Sequence, residues 1–160
     1  MDEEIKRRVL RKVPYGMYIM TATAGGKVAA STLTWLSQCS FRPPLVMLGI
    51  QKGSQMHATI EAAGSLAVNI LAEGQEKIAE SFFRPASVEG DRLGGFAFRP
   101  GPATGAPLLL DLPAWFEARV TDSVHRGDHS VFVAEVVDAG LHDADAAALL
   151  LSRTRWNYGG

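Results

Sequence analysis

The spacing of strand-length apolar segments is the feature that most limits the folds open to this chain of 160 residues. Residues 15–23 and 27–35 are rich in aromatic and β-branched residues around a Gly-Gly pair, which predicts a β-hairpin. Alternating apolar and polar side chains predict a second hairpin from residues 114–125 and 130–137. With about six strands and no βαβ alternation, the sequence favours a closed, mainly antiparallel barrel with a few short helices.

Two further strands and three short helices are predicted outside the hairpins. Residues 45–50 are a continuous apolar run, which predicts a strand covered on both faces at the centre of the sheet, and residues 65–71 predict another strand. The helices are predicted over residues 2–13, 54–63 and 75–84. Residues 85–113 are rich in proline and glycine, so no regular element is predicted there. Residues 143–152 fit either a helix or a last strand.

The composition bounds the organisation of the chain and the kinds of partner it has. A hydrophobic content of 47% in 160 residues is enough for one core, so residues 1–160 are predicted to form a single domain. The formal net charge of -1 provides no basic surface for nucleic acid. No apolar run is long enough to span a bilayer, and neither a signal peptide nor a disulfide framework is visible, so a cytoplasmic protein is expected.

The histidine and cysteine positions form no metal-binding motif. Cys39 is the single cysteine, and it is expected to be a small buried hydrophobe. His125 and His142 have no carboxylate or cysteine cluster beside them in the sequence, and His57 is expected on a polar helix face. No metal site is therefore predicted.

Residues 28–54 place a run of small hydroxyl and amide side chains between two strand-like segments and end in a Lys-x-Ser turn. Hydroxyl, amide and backbone N–H groups are suited to hydrogen-bond the polar edges of a flat ligand. Lys52 and Ser54 stand at the start of a predicted helix, where they are placed to meet a phosphate. The natural candidate for a flat, phosphorylated ligand of this kind is flavin mononucleotide (FMN).

Five short motifs in a fixed order carry a resemblance to a known family. They are Thr-Leu-Thr-x-x-Ser-x-x-Ser at residues 32–40, Pro-Pro-Leu-Val at 43–46, Lys-x-Ser-x-x-His at 52–57, Ala-Val-Asn-Ile-Leu at 67–71 and Gly-Asp-His at 127–129. Their order and spacing resemble the flavin reductase-like, FMN-binding split-barrel family. The segment Pro-Tyr-Gly-Met-Tyr at residues 14–18 also resembles the flavin reductase modules of diiron flavoproteins.

The resemblance implies a flavin reductase built as a homodimer of six-stranded antiparallel Greek-key split β-barrels, each binding FMN or FAD. The flavin would take hydride from NADH or NADPH and serve a partner monooxygenase or another electron acceptor. The implied cofactor-binding residues are Thr32, Leu33, Thr34, Ser37, Gln38, Cys39, Ser40, Lys52, Ser54 and Arg84. His129 and Asp128 are the implied residues near the nicotinamide, and residues 156–160 are expected to close over the site.

Two other functions remain open at the level of sequence. A protein of the same fold could hold FMN as an electron relay for a protein partner, with slow turnover of pyridine nucleotides. A related split-barrel enzyme could oxidise pyridoxine phosphate, which would need further basic residues for a second phosphate. Few such residues are visible outside the predicted N-terminal helix.

Overall fold

The computed structural model describes residues 1–160 as a mainly β protein with two antiparallel sheets, which confirms the predicted fold class. The larger sheet has seven strands rather than the predicted six, because residues 36–40 pair with the strand that follows them. Its strands are β1 (Tyr18–Ala24), β2 (Lys27–Leu33), β3 (Leu36–Ser40), β4 (Leu45–Gln51), β5 (Ser65–Ile70), β10 (Ala114–Val124) and β11 (His129–Leu141). The smaller sheet has four: β6 (Val88–Glu89), β7 (Arg92–Leu93), β8 (Phe96–Pro100) and β9 (Pro107–Leu109). The helices are α1 (Glu3–Leu10), α2 (Gln55–Ala63), α3 (Glu76–Ser81) and a 3-10 turn at Leu151–Arg153.

The larger sheet curls on itself because its two outer strands are neighbours in the chain. The strand order is β2-β1-β5-β10-β11-β4-β3. In an open, flat sheet the outer two of seven strands would lie about 29 Å apart. Only Thr34 and Trp35 separate the end of β2 from the start of β3. Because two residues cannot cover that distance, the two edges of the sheet must approach each other there, as in a barrel.

The interior of the curled sheet holds the main hydrophobic core, which has 14 buried residues from six strands and α2. Met56 and Ile60 of α2 are buried in it, so the helix packs against the barrel. Ser54 caps the helix by accepting a hydrogen bond from the His57 N–H, and Gly64 ends it with a φ of 63°. Both helix boundaries are as predicted, and together they fix where the first turn of α2 lies.

The two predicted hairpins are confirmed, whereas the predicted position of β4 is wrong. β1 pairs with β2 around Gly25 and Gly26, whose φ values of 56° and 76° suit a tight hairpin turn. β4 is not the central strand, because the long β10–β11 hairpin lies between it and β5. Its side chains alternate between buried and less buried, and Met47 is 43% exposed, so β4 is not covered on both faces.

Residues 85–113 contain more regular structure than the sequence predicted. The four strands β6 to β9 lie in this segment and cover a second core of 11 buried residues. Leu93, Leu109 and Phe82 are among the residues of this core. Strands of two to five residues are too short to show a reliable alternation between glycines and prolines, which is why the pattern did not predict them.

Residues 143–152 and α3 also differ from expectation, whereas the predicted N-terminal helix is present with an exposed apolar face. Residues 143–152 form neither a helix nor a regular strand, but make single bridges to Gly16 and Ala72 before the 3-10 turn. The apolar stripe of α1 does not pack on the barrel, since Ile5 is 61% and Val9 60% exposed. α3 has six residues, fewer than predicted. None of the helices combines the length and the apolar content that crossing a membrane would need.

Candidate functional site

A cavity of about 720 Å³ lies where β2, the first turn of α2 and the C-terminal segment meet. Its volume is in the range of small-molecule and cofactor sites, and about half of its lining is apolar. The polar residues of the lining are Ser31, Thr32, Thr34, Gln51, Ser54, Gln55, Arg84, Arg155, Asn157 and Tyr158. Five of the residues predicted to bind a cofactor line this cavity: Thr32, Leu33, Thr34, Ser54 and Arg84.

Two threonines, one near the end of β2 and one just after it, have different roles. Thr32 Oγ1 donates to Ala79 O at 2.6 Å and the Thr32 N–H donates to Phe82 O, so Thr32 holds the segment after α3 against β2. Thr34 is buried, and its Oγ1 has no hydrogen-bond partner. Trp35 Nε1, from a residue that also lines the cavity, is buried without an acceptor. Buried polar atoms are nearly always paired, so these two atoms point to a polar ligand.

The first turn of α2 supplies free backbone donors to the cavity. Ser54 Oγ accepts from the His57 N–H at 3.1 Å and donates to Gln51 O at 2.8 Å, so this hydroxyl is already used in capping the helix. The N–H groups of Gln55 and Met56 have no acceptor within the protein, and both residues line the cavity. Free N–H groups and the positive end of a helix dipole favour an anion such as a phosphate.

Three basic side chains lie at or near the cavity. Arg84 and Arg155 line it, and both are exposed. Arg155 also reaches Glu80, with 3.4 Å between Nη2 and Oε1. Lys52 is not part of the lining, and its N–H donates to Asp128 O in the turn before β11. The structure therefore places the predicted Arg84 at the cavity and the predicted Lys52 beside it.

The two residues predicted near a nicotinamide form a connected cluster at the edge of the cavity. His129 Nδ1 lies 2.9 Å from Asp128 Oδ1, and its Nε2 lies 2.8 Å from the hydroxyl of Tyr158. The hydrogen bond and positive charge of His129 hold the pKa of Asp128 below its ordinary value. Burial, together with the charge of Asp128, raises the pKa of Tyr158. The imidazole is thus held between a carboxylate and a phenol.

Trp35 connects this cluster to the cavity. Its ring centroid lies 4.6 Å from that of His129 and 5.2 Å from that of Tyr158. The indole lies close against Gly49 on β4, where a Cβ atom would come within 2.9 Å of Trp35 Cε3. A glycine at this position therefore allows the ring to sit between the sheet and the histidine.

The C-terminal segment borders the same cavity. Trp156, Asn157 and Tyr158 belong to the lining. Trp156 packs edge-on against Phe83, with ring centroids 4.8 Å apart. The carbonyl of Gly159 accepts a hydrogen bond from Arg11 Nε at 3.0 Å. The segment is therefore anchored on both sides of Tyr158 and covers one side of the cavity.

Four of the residues predicted to bind a cofactor lie away from this cavity. Ser37, Gln38, Cys39 and Ser40 belong to β3, which leaves the cavity after Trp35 and pairs with β4. Cys39 is exposed, so the prediction that it is buried is wrong. Gln38 borders a separate apolar groove instead. The run of hydroxyl residues is continuous in sequence, but the turn between β2 and β3 divides it between two surfaces.

Comparison with known proteins shows the family of this chain. The model of the flavin reductase like domain matches residues 10–160. The chain belongs to the flavin reductase-like family. The predicted resemblance is thereby confirmed, and it covers nearly the whole chain.

Named members of the flavin reductase-like family align along most of the chain. An NADH:FMN oxidoreductase from Rhodococcus erythropolis is 33% identical, covering 91% of this chain and 75% of that protein. The NADH-dependent flavin reductase StyB from Pseudomonas fluorescens is 30% identical, covering 94% of this chain and 86% of that protein. The NADH:FAD oxidoreductase SgcE6 from Streptomyces globisporus, solved with NAD and FAD fragments, has a TM-score of 0.79 at 27% identity, covering 94% and 90%. The chain spans 38% of another relative, from Rhizobium meliloti.

Within this flavin reductase-like chain, His125 is not isolated, contrary to the expectation from sequence. It lies near His57 and Glu61, and one ligand-type atom from each of the three residues lies within 4.8 Å of the others. His57 is buried rather than on a polar face, and its Nε2 lies 2.7 Å from Ser130 Oγ. Sequence spacing could not show this cluster, because a helix and a distant hairpin each contribute to it.

Some polar residues of the cavity, among them Gln55 and Arg155, were not predicted from the sequence. Gln55 follows the predicted helix cap at Ser54, so a signal for its free N–H was present in the sequence. Arg155 carries no comparable signal, because it reaches the cavity only through the path of the C-terminal segment. The contact of Tyr158 with His129 joins residues 29 positions apart and likewise depends on the fold.

Proposed function

We propose that this chain, as a single domain over residues 1–160, is an NADH-dependent flavin reductase that passes hydride from the dinucleotide to a bound flavin. The observation that carries the proposal is a cavity of about 720 Å³ with unpaired polar groups in a flavin reductase-like fold. Relatives named NADH:FMN oxidoreductase and NADH-dependent flavin reductase support the cofactor and the electron donor.

The residues at the cavity fit FMN. We assign the phosphate to the free N–H groups of Gln55 and Met56, with the charge of Arg84 nearby, because these groups bind anions. We assign a polar edge of the flavin ring to Thr34 Oγ1 and Trp35 Nε1, which lack partners in the protein. Leu33 is buried and lines the cavity, so it contributes apolar surface against the ring.

The protein's own part in the reaction is positioning and charge. A bound flavin supplies the redox chemistry, which no side chain of the cavity has. Asp128 orients the His129 imidazole beside the cavity, where we place the nicotinamide. The Tyr158 hydroxyl is hydrogen-bonded to His129 Nε2. The C-terminal segment must therefore shift before this nitrogen contacts a dinucleotide. Holding both reactants in one cleft lowers the entropic part of the barrier.

Several finer assignments rest on the relatives. NADH is favoured over NADPH and FMN is placed first, with FAD as the alternative, because relatives are named for NADH with each flavin. Solved structures similar to this chain include the flavin reductase component of a tryptophan halogenase and that of styrene monooxygenase. We therefore propose a flavin-dependent oxygenase or halogenase as the consumer of reduced flavin. The single unpaired Cys39 suits a reducing compartment such as the cytoplasm.

We further propose that the protein is a homodimer. An apolar groove of about 510 Å³ runs along β3, β4, β10 and β11, and 10 of its 13 lining residues are hydrophobic. Leu141 at its edge is 66% exposed, and Met47 on β4 is 43% exposed. Exposed apolar side chains grouped on one wall of the barrel are a feature of protein interfaces, and a second copy of the chain is the occupant we propose.

The proposed function is tested in one cuvette under anaerobic conditions. The purified protein is mixed with FMN, and NADH and then NADPH are added while the flavin absorbance is followed. Rapid bleaching with NADH and slower bleaching with NADPH are expected. A flavin spectrum that is perturbed on binding but does not bleach would replace the reductase with an electron-relay flavoprotein. No perturbation with either FMN or FAD would overturn the assignment of the cavity.

A further inference from the structure

A cluster of His57, Glu61, His125, Ser123 and Ser130 lies outside the flavin cavity and has no part in the proposed reaction. His57 and Glu61 stand one turn apart on α2, so their side chains share one face of the helix. His125 lies in the connection between β10 and β11, and Ser130 lies on β11. The cluster therefore joins α2 to the hairpin that carries His129.

We propose that His57, Glu61 and His125 bind one divalent transition-metal ion, and that Zn²⁺ is the ion they favour. His57 Nδ1 and Glu61 Oε2 are 3.3 Å apart. Two ligand atoms on a tetrahedral zinc ion are separated by roughly 3.3 Å, because Zn–N and Zn–O bonds are about 2.0–2.2 Å long. This pair already has the separation that zinc requires, and the separation is longer than a good hydrogen bond between the same groups.

His125 needs only a small adjustment to complete the set. One ligand-type atom of each residue lies within 4.8 Å of the others. His125 Nε2 lies 2.8 Å from Ser123 Oγ, so the ion would replace Ser123 as the partner of this nitrogen while Nδ1 keeps its contact with Ser130. The side chain of His125 is exposed, so the small change in its torsions that this needs does not disturb the core. Glu61 is also exposed, with half of its side-chain surface open, which leaves a path for the ion to enter.

Ser130 orients both imidazoles. Its Oγ is fully buried and lies 2.7 Å from His57 Nε2 and 2.7 Å from His125 Nδ1. A histidine that binds a metal through one ring nitrogen usually has the other fixed by a hydrogen bond, and this fixes its tautomer. A hydroxyl oxygen has two lone pairs, so Ser130 Oγ is able to accept from both rings at once. A buried serine shared by two histidines is the support that such a site needs.

The donor set selects the type of ion. Two imidazoles and one carboxylate suit zinc and neighbouring transition metals, whereas Mg²⁺ and Ca²⁺ prefer sites made of oxygen atoms. Three protein ligands leave the fourth position of zinc to water. The ion would link α2, whose first turn lines the flavin cavity, to the β10–β11 connection, which leads into β11 at His129. Occupancy of the site would therefore stabilise the two elements on either side of the cavity.

The test measures metal binding without flavin, so its result does not depend on the proposed reductase function. The protein, freed of any affinity tag and treated with a chelator, is titrated with ZnCl₂ by calorimetry and with CoCl₂ by visible absorbance. One ion per chain is expected, with an affinity in the micromolar range or tighter and a raised melting temperature. Titration with MgCl₂ is expected to give neither effect.

Variants assign the binding to these residues. His125→Ala and Glu61→Gln change exposed side chains, and each is expected to weaken Zn²⁺ binding on the order of tenfold or more. Ser130→Ala keeps all three ligands and is expected to weaken binding by about 10–100-fold. His142→Ala, which alters a histidine outside the cluster, is the control and is expected to bind as the parent does. Absence of stoichiometric binding, or binding unchanged in both His125→Ala and Glu61→Gln, would overturn the proposal.

Discussion

Thr32 near the end of β2 and Thr34 just after it show how two similar side chains serve different purposes. The Thr32 hydroxyl donates a hydrogen bond to Ala79 O, which fixes the segment that leads to Arg84. Thr34 keeps a buried hydroxyl without a partner, which is an unfavourable arrangement for the protein alone. The unpaired hydroxyl raises the free energy of the ligand-free protein, and a ligand that supplies the missing hydrogen bond removes this penalty.

Thr34→Val tests this account, because valine has the shape of threonine and lacks the hydroxyl. We expect FMN affinity to fall by about 1 kcal/mol, which is roughly a fivefold change in Kd, while the stability of the free protein is unchanged or increased. Fluorescence titration with FMN and urea unfolding of the free protein measure the two effects. The control is Thr32→Val, which should lower the stability of the free protein by about 0.5–1.5 kcal/mol. Equal FMN affinity in Thr34→Val and the parent would refute the assignment of Thr34.

The Asp128–His129 pair predicts a dependence of stability on acid pH. The pKa of Asp128 is lower in the folded protein than in the unfolded chain, because His129 donates a hydrogen bond and carries positive charge. A lowered pKa means that the ionised carboxylate stabilises the fold. This contribution is present above the unfolded pKa of about 3.9 and is lost as the pH falls through the lower folded value.

Asp128→Asn removes that titration. We expect the variant to melt at a lower temperature than the parent at neutral pH, and the difference to shrink as the pH falls to about 2. Thermal unfolding at a series of pH values, together with NMR titration of the Asp128 carboxyl in the parent, provides the measurement. A difference between variant and parent that stays constant at every pH would show that the ionised pair contributes nothing.

At the scale of elements, Glu117 on β10 fixes the loop that precedes β9. Its carboxylate is fully buried and accepts from the N–H groups of Ala103 and Thr104, at 3.1 and 2.7 Å, and from the Thr104 hydroxyl. A buried carboxylate surrounded by donors is favourable only while every donor is satisfied. The small sheet therefore depends on one acidic side chain of the large one.

Glu117→Gln should destabilise the protein, because the amide replaces one acceptor oxygen with an NH₂ group that faces other donors. We expect the free energy of unfolding to fall by about 1–3 kcal/mol. Urea unfolding measures this effect, with Glu73→Gln as the control at an exposed glutamate, where the change should stay within about 0.5 kcal/mol. A similar loss in both variants would indicate that charge alone, rather than the buried contacts, is responsible.

The elements show which parts of the fold a sequence predicts. The hairpins and α2 were predictable because local rules determine them, through the Gly25-Gly26 turn, the Ser54 cap and the Gly64 stop. The position of β4 in the sheet was not predictable, because it depends on where the distant β10–β11 hairpin inserts. The strands between residues 85 and 113 were missed because their stability comes from the core beneath them and not from their own pattern.

The candidate site divides in the same way. Thr34 and Ser54 lie in the motifs and Arg84 was implied by the family resemblance, and the structure brings all three to one cavity. The residues of β3 share the same motif and lie elsewhere, because a two-residue turn redirects the chain between them. Arg155 was not predicted, since only the folded path of the C-terminal segment brings it to the cavity.

At the scale of the whole molecule, the barrel places its polar cavity and its apolar groove on different surfaces. The cavity adjoins β2, α2 and the C-terminal segment, whereas the groove follows β3, β4, β10 and β11. β3 is an edge strand, and an uncovered edge is open to pairing with another chain. In the homodimer that we propose, a second copy of the chain would lie over this edge and groove and would also cover the exposed polar side chains of β3.

Leu141→Asp tests the homodimer at the edge of the groove. Leu141 is 66% exposed in the single chain, so the aspartate should not disturb the barrel, but it would place a charge in the proposed interface. We expect the parent to sediment as a dimer and the variant to dissociate at least about tenfold more readily, corresponding to a loss of roughly 1.4 kcal/mol or more. Val124→Asp is the matched control, since Val124 is 52% exposed at the other end of the same hairpin and lies outside the groove. Sedimentation over a range of concentrations measures both variants. A parent that is a monomer at all concentrations would refute the homodimer, and dissociation caused equally by Val124→Asp would move the interface to the other end of the hairpin.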